Sequence, residues 1–111
     1  HVRSRRQRQM CIRDRFVGQF IPTAYNTSAC EVAVKKYCAG DKEEMHYHKV
    51  ATEITLVLMG RVLIAEKEWG DGDIIVLEPG EPTAFEAITD TTTVVVKVPG
   101  ALDDKFFGAP K

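Results

Sequence analysis

From residue 16 to residue 98 the chain is a succession of short β-type runs, each stopped by glycine, proline or aspartate. No apolar repeat of helical period reaches useful length, so the pattern restricts the fold to an antiparallel sandwich or barrel. Residues 16–21 read as a short edge strand stopped by Pro22. Residues 29–38 read as a strand with Glu31, Lys35 and Tyr37 on one face and Cys30, Val32 and Val34 on the other. Strand patterns follow at 43–48, 53–59, 61–65, 73–77, 83–88 and 92–98. Asp71-Gly72, between two of these patterns, carries the dipeptide of a two-residue hairpin turn. The phenylalanines of the tail, Phe106 and Phe107, are expected to pack on the body.

The 53–59 run is apolar on both faces. Glu53, Thr55, Val57 and Met59 share one face, and Ile54, Leu56 and Leu58 the other. The first is expected to point into the barrel; the second then needs a cover, either another layer or a second subunit. A chain of 111 residues makes one domain with a modest core, so a homodimer is expected. No run of about 18 apolar residues is present, so no membrane partner is indicated.

Charge divides the sequence. Residues 1–15 hold six arginines and one aspartate, which leaves 9 basic against 15 acidic residues in 16–111. Residues 1–15 are read as a disordered, non-native basic leader, with a basic arm for nucleic acid or anionic lipid as the other reading. Residues 16–111 are the single domain, and their net charge near −6 argues against nucleic acid as a partner. Three cysteines without a CxxC pair argue against a disulfide framework and for a reducing, cytoplasmic compartment.

The chemistry-bearing stretch is Gly40 to Gly60. His46 and His48 stand one residue apart in a strand pattern, so their side chains share a face. Glu53 follows five residues later, after a short connection that would set the two strands side by side. Two imidazoles and one carboxylate then converge as the ligands of a metal with open coordination positions. Histidine pairs of this spacing also arise on polar strand surfaces; the framing glycines decide between the readings. Gly40, His46, His48, Glu53 and Gly60 match every fixed position of G-x5-H-x-H-x(3,4)-E-x6-G, and the stretch resembles the first motif of the cupin superfamily. The resemblance implies a cupin jelly roll, an all-β, antiparallel double-stranded β-helix. It also implies a divalent ion (Fe, Mn, Ni, Cu or Zn) held by His46, His48 and Glu53.

The second cupin motif, G-x5-P-x-G-x2-H-x3-N, is half kept. Gly72 and Gly80 match, but Glu78 stands for proline, Thr83 for the histidine that usually completes the metal site, and Ala87 for asparagine. A neutral hydroxyl is a poor ligand for these ions, so three ligands remain. Glu78 reads as a solvated turn residue, and the pleat turns Glu86 away from Thr83. Two functions stay open, beside a structural or assembly role in which the motif is a relic. In one, the ion and the pocket formed by Thr55, Val57, Met59, Thr83 and Phe85 bind a small molecule, with Lewis-acid or O2 chemistry if the protein is an enzyme. In the other, the pocket is a metal-free module for a carbohydrate-like ligand. No further catalytic constellation is visible: no GxSxG, no activated Cys–His pair and no phosphate loop.

Overall fold

The structure is a computed structural model and describes residues 13–110. Among the described residues there is no helix; the elements are β1 (Arg13–Val17), β2 (Glu31–Tyr37), β3 (Lys42–Tyr47), β4 (Thr52–Met59), β5 (Val62–Ile64), β6 (Lys67–Trp69), β7 (Ile74–Leu77), β8 (Thr83–Ala87), β9 (Thr91–Val98) and β10 (Phe106–Phe107). They form two antiparallel sheets, β1-β2-β9-β4-β7 and β10-β3-β8-β5-β6. Successive strands switch sheets repeatedly, which wraps the chain into a barrel.

The edge strand expected at 16–21 lies earlier, at Arg13–Val17, where it pairs with β2. Arg13 to Arg15 therefore belong to a strand; the rest of the proposed leader, residues 1–12, lies outside the described residues. The expected Asp-Gly hairpin is a sheet-to-sheet crossing instead, because β6 and β7 lie in different sheets. Both aspartates of that loop are spent on backbone donors: Asp71 Oδ1 accepts from Gly60 N–H at 2.7 Å and Asp73 Oδ2 from Gly70 N–H at 2.8 Å. The real two-residue hairpin joins β5 to β6 through Ala65 and Glu66, at φ 54° and 62°. Left-handed φ at both central residues is what such a turn demands.

Alternation sets the core. Tyr37, Val57, Val62, Ile64, Ile75, Phe85 and Ala87 interdigitate between the sheets, with Trp69 and Leu77 packed against them. The Tyr37 and Phe85 rings lie 4.3 Å apart between centroids. Beyond this apolar half the interior turns polar. Register places Lys97 beside both Glu31 and Glu53 in one row across β2, β9 and β4.

The outer face of the first sheet is apolar. Its register aligns Val32, Val96, Ile54 and Val76 in one row and Val34, Val94, Leu56 and Ile74 in the next. Ile74 and Val76 are 61% and 50% exposed, so nothing among the described residues covers that edge. Cys30 is free, while Cys38 is engaged in a disulfide. A disulfide withdraws the support that the cysteine count gave to a reducing compartment.

Candidate metal centre

Three side chains meet at the polar end of the barrel. His46 lies in β3, His48 just past its end, and Glu53 is the second residue of β4. One donor atom from each lies within 4.8 Å of the others, and all three residues are buried. The two strands are not side by side, as the sequence suggested, but belong to opposite sheets. Residues 49–51 cross between the sheets, so the histidines face the carboxylate across the interior. His48 Nε2 stands 3.5 Å from Glu53 Oε1.

A bulge gives β3 its aim. The β3–β8 register slips between Glu43 and His46, leaving Glu44 and Met45 both pointing outward. Glu43 and His46, three residues apart, thus both face inward, which a regular pleat forbids. The slip also frees the Glu44 carbonyl, which accepts the His46 Nδ1 proton at 2.9 Å. His48 Nδ1 donates to the backbone carbonyl of Asp104 at 2.7 Å. With both Nδ1 atoms held by carbonyls, each ring turns its Nε2 to the site, the arrangement that orients histidine ligands. His48 Nε2 is buried and has no hydrogen-bond partner. A buried, unpartnered ring nitrogen costs roughly 1–3 kcal/mol unless something binds it.

Asp104 is the residue the sequence reading passed over. Its carboxylate accepts the N–H groups of Lys49 (2.9 Å), Val50 (3.1 Å) and Ala51 (2.9 Å), the whole crossing between His48 and Glu53. The tail that carries it is held by β10, which pairs with β3, and by the stack of Phe106 on Tyr47 at 5.6 Å.

Charge suits cation binding. Burial lowers the His46 pKa, only partly offset by the Glu44 hydrogen bond, which favours the neutral ring. Burial pushes Glu53 upward, but the His48 ring, Lys35 and Lys97 outweigh it, and its pKa falls below the usual value. Burial therefore favours the metal-binding neutral form of His46, and Glu53 stands as a carboxylate at neutral pH. Lys35 forms an ion pair with Glu43 at 3.8 Å, and Arg15 with Glu31 at 3.2 Å.

Thr83 sits opposite His46 on β8 and lines the same small cavity, of about 20 Å³, with Glu53, Thr55 and Phe85. Its hydroxyl accepts from Ala65 N–H at 3.1 Å and donates to the Ala84 carbonyl at 3.2 Å, so both its roles are taken. Val57 does not line this cavity; it is fully buried in the apolar core. Met59 is 51% exposed, because a register slip between Val57 and Met59 turns it out of the barrel. Glu78 is exposed and Glu86 half-buried on the outward face of β8; neither approaches the cavity. The inner space admits about one water or ion. Room for a small molecule borders His48 instead, in a cavity of about 520 Å³ with Arg15, Lys97 and residues 101–105.

No protein-family model matches the sequence, and comparison with curated proteins gives no match. Solved structures do match. A Klebsiella pneumoniae protein with a double-stranded β-helix domain superposes with a TM-score of 0.69 at 19% identity, over 76% of this chain and 74% of that one. An RmlC-like cupin from Shewanella frigidimarina gives 0.64 at 15% identity, over 69% and 72%. The fold is the double-stranded β-helix of the cupins. A larger protein of this shape, the DMSP lyase DddQ from Ruegeria pomeroyi, gives 0.71 at 18% identity, over 97% of this chain and 56% of that one. In this cupin fold the two histidines come from one sheet and the carboxylate from the other, both at the polar end of the barrel.

Proposed function

We propose that the protein holds one divalent first-row transition-metal ion through His46, His48 and Glu53 and presents it to a small-molecule ligand. One observation carries this reading: a buried ring nitrogen, His48 Nε2, stands without a hydrogen-bond partner 3.5 Å from a buried carboxylate oxygen. The spacing of that pair fits an ion. Two bonds of about 2.1 Å at a near-tetrahedral angle span about 3.4 Å. Two nitrogens and an oxygen suit iron, manganese, nickel, copper or zinc better than calcium or magnesium. Such an ion supplies Lewis acidity to whatever coordinates its remaining positions. The chain's residues do the rest. Glu44 and Asp104 hold the rings, Glu53 stays ionised, and the apolar half of the barrel keeps water to one side.

Elemental analysis after native purification tests this. Near-stoichiometric ion is expected in the unaltered protein, and more than about a 100-fold loss of affinity in the His46→Ala/His48→Ala double variant, since removing even orienting partners costs roughly 10–100-fold. Undiminished metal content in the double variant rejects the site. Ligand-induced thermal stabilisation that survives excess chelator would favour a metal-free module.

We also propose that the protein is a homodimer through the outer face of the first sheet. Eight aliphatic side chains in two aligned rows form an apolar surface, and a two-fold axis lets such a surface pair with its own copy. Sedimentation should give a dimer, and Val96→Lys, at the centre of that face, a monomer. A monomeric parent protein at micromolar concentration contradicts the proposal.

A further inference from the structure

The polar half of the barrel carries more cationic charge than its acids can balance once an ion is bound, and the surplus sits where a ligand has room. Lys97 is on the inner face of β9, between Glu31 and Glu53 in register, and borders the roughly 520 Å³ cavity beside His48. It is half-buried and forms no direct ion pair among the described residues. Its neighbours are committed elsewhere. Glu31 accepts a hydrogen bond from Arg15 at 3.2 Å, Lys35 and Glu43 pair with each other, and the Asp104 carboxylate is filled by three backbone N–H groups. Glu53 is the remaining counter-charge to Lys97, and it is one of the three convergent donors.

From this geometry we infer that the ligand is a small carboxylate anion, bound between the ion and Lys97 with Lys105 on the rim. The inference rests on the proposed metal site. When Glu53 gives its charge to a dication, Lys97 is left beside two positive charges, and its other register partner, Glu31, is shared with Arg15. An anion that coordinates the ion and accepts from the Lys97 ammonium restores neutrality and fills space already present. Lys105 is exposed and lines the same cavity, where it adds a second cation at the entrance; Asp103, exposed on a turn, is the acid on that rim. A neutral sugar satisfies none of this. The linkage is reciprocal: the anion tightens the ion, and the ion tightens the anion.

The test uses Mn(II) and malonate, read by the free Mn(II) signal in electron paramagnetic resonance, with malonate's own weak chelation subtracted in protein-free controls. Malonate should tighten Mn(II) binding to the unaltered protein by about tenfold or more, and the neutral analogue malonamide should not. Lys97→Met should abolish the malonate effect while leaving binding of Mn(II) alone equal or tighter. Lys97→Arg should restore the effect, which guards against a variant that merely folds poorly. Retention of the full malonate effect in Lys97→Met, or an equal effect from malonamide, overturns the inference. Mn(II) binding that malonate leaves unchanged sinks this inference and spares the metal site. Absence of any divalent-ion binding to the unaltered protein removes the reading on which it rests.

Discussion

Replacing Asp104 with alanine is expected to destabilise the protein by about 3 kcal/mol and to weaken ion binding by roughly 10–100-fold. The carboxylate accepts three consecutive N–H groups, from Lys49, Val50 and Ala51. Lys49 and Val50 are exposed and can turn to water, but Ala51 is only 1% exposed. Its abandoned N–H accounts for roughly 1–3 kcal/mol, and the lost charge-assisted bonds for the remainder. The ion feels the change because residues 49–51 set the distance between His48 and Glu53, and because the Asp104 carbonyl holds the His48 ring. Asp104→Asn keeps the acceptor oxygen and loses the charge, so it should fall between the two. Denaturant unfolding and metal titration of the three proteins check both effects; an alanine variant with unchanged ion affinity would show that the tail merely lies against the site.

Acid should reveal the same residue. The three backbone donors outweigh burial, which by itself would raise the Asp104 pKa, and hold it below its ordinary 3.8. Glu53 is likewise held below 4.5. A folded-state pKa below the unfolded one contributes stability that is present above the unfolded value and is lost as pH falls through the folded one. His46, held below 6.5 by burial, acts in the same direction at higher pH, because the unfolded chain takes up its proton first. Stability of the ion-free protein should therefore decline in two stages on acidification, one starting near 6.5 and one starting near 4.5. Asp104→Ala should shrink the second stage and leave the first.

The parts of this site that could be read in the sequence are those whose geometry is local. His46 and His48 share a side because side chains two apart in an extended chain do, even though β3 ends at Tyr47 between them. Phe85 and Thr83 line the cavity for the same reason. Wherever a bulge breaks the count, period-two reasoning fails. One slip points Met59 at solvent, and another brings Glu43 inward beside Lys35. Lys97 was hidden for a different cause. In a run such as Thr92 to Val98, a single lysine near the strand end reads as a solvated terminus, and only the pairing with Glu31 and Glu53 shows that it faces inward. Asp104 had no local signature. An aspartate in a polar tail looks like solvent-facing charge, and its four contacts are made to residues more than fifty positions earlier. The fold class survived these failures, because it depends on how many strands there are and not on the phase of any one.

The two glycines that frame the motif are required for unequal reasons, and the second gives the other large expected effect. Gly40 has φ 91° and nothing within 4 Å of where a side chain would begin. Gly60 has φ 109°, and a Cβ there would stand 2.4 Å from Thr91 Oγ1, 2.6 Å from the Asp90 carbonyl oxygen and 2.8 Å from Thr91 Cα. Two of those atoms are backbone. Thr91 itself is buried at 2% exposure with its hydroxyl donating to the Thr89 carbonyl at 2.8 Å, so it cannot yield. Gly60→Ala therefore adds overlap to backbone strain and should cost about 4 kcal/mol. For a domain of this size that lowers Tm by roughly 15–30 °C. Gly72→Ala is the control: φ is 84° with open space around it, so strain alone applies and the loss should be about 1–2 kcal/mol. Gly60 closes the end of β4 opposite the one that carries Glu53. Thermal melts should thus separate the two alanine variants widely, while the folded fraction of Gly60→Ala binds the ion as the unaltered protein does. Asp104→Ala loses both stability and affinity. A Gly60→Ala variant as stable as Gly72→Ala would mean that the β4–β5 corner relaxes freely, and that the close approach of Gly60 to Thr91 does not constrain the barrel.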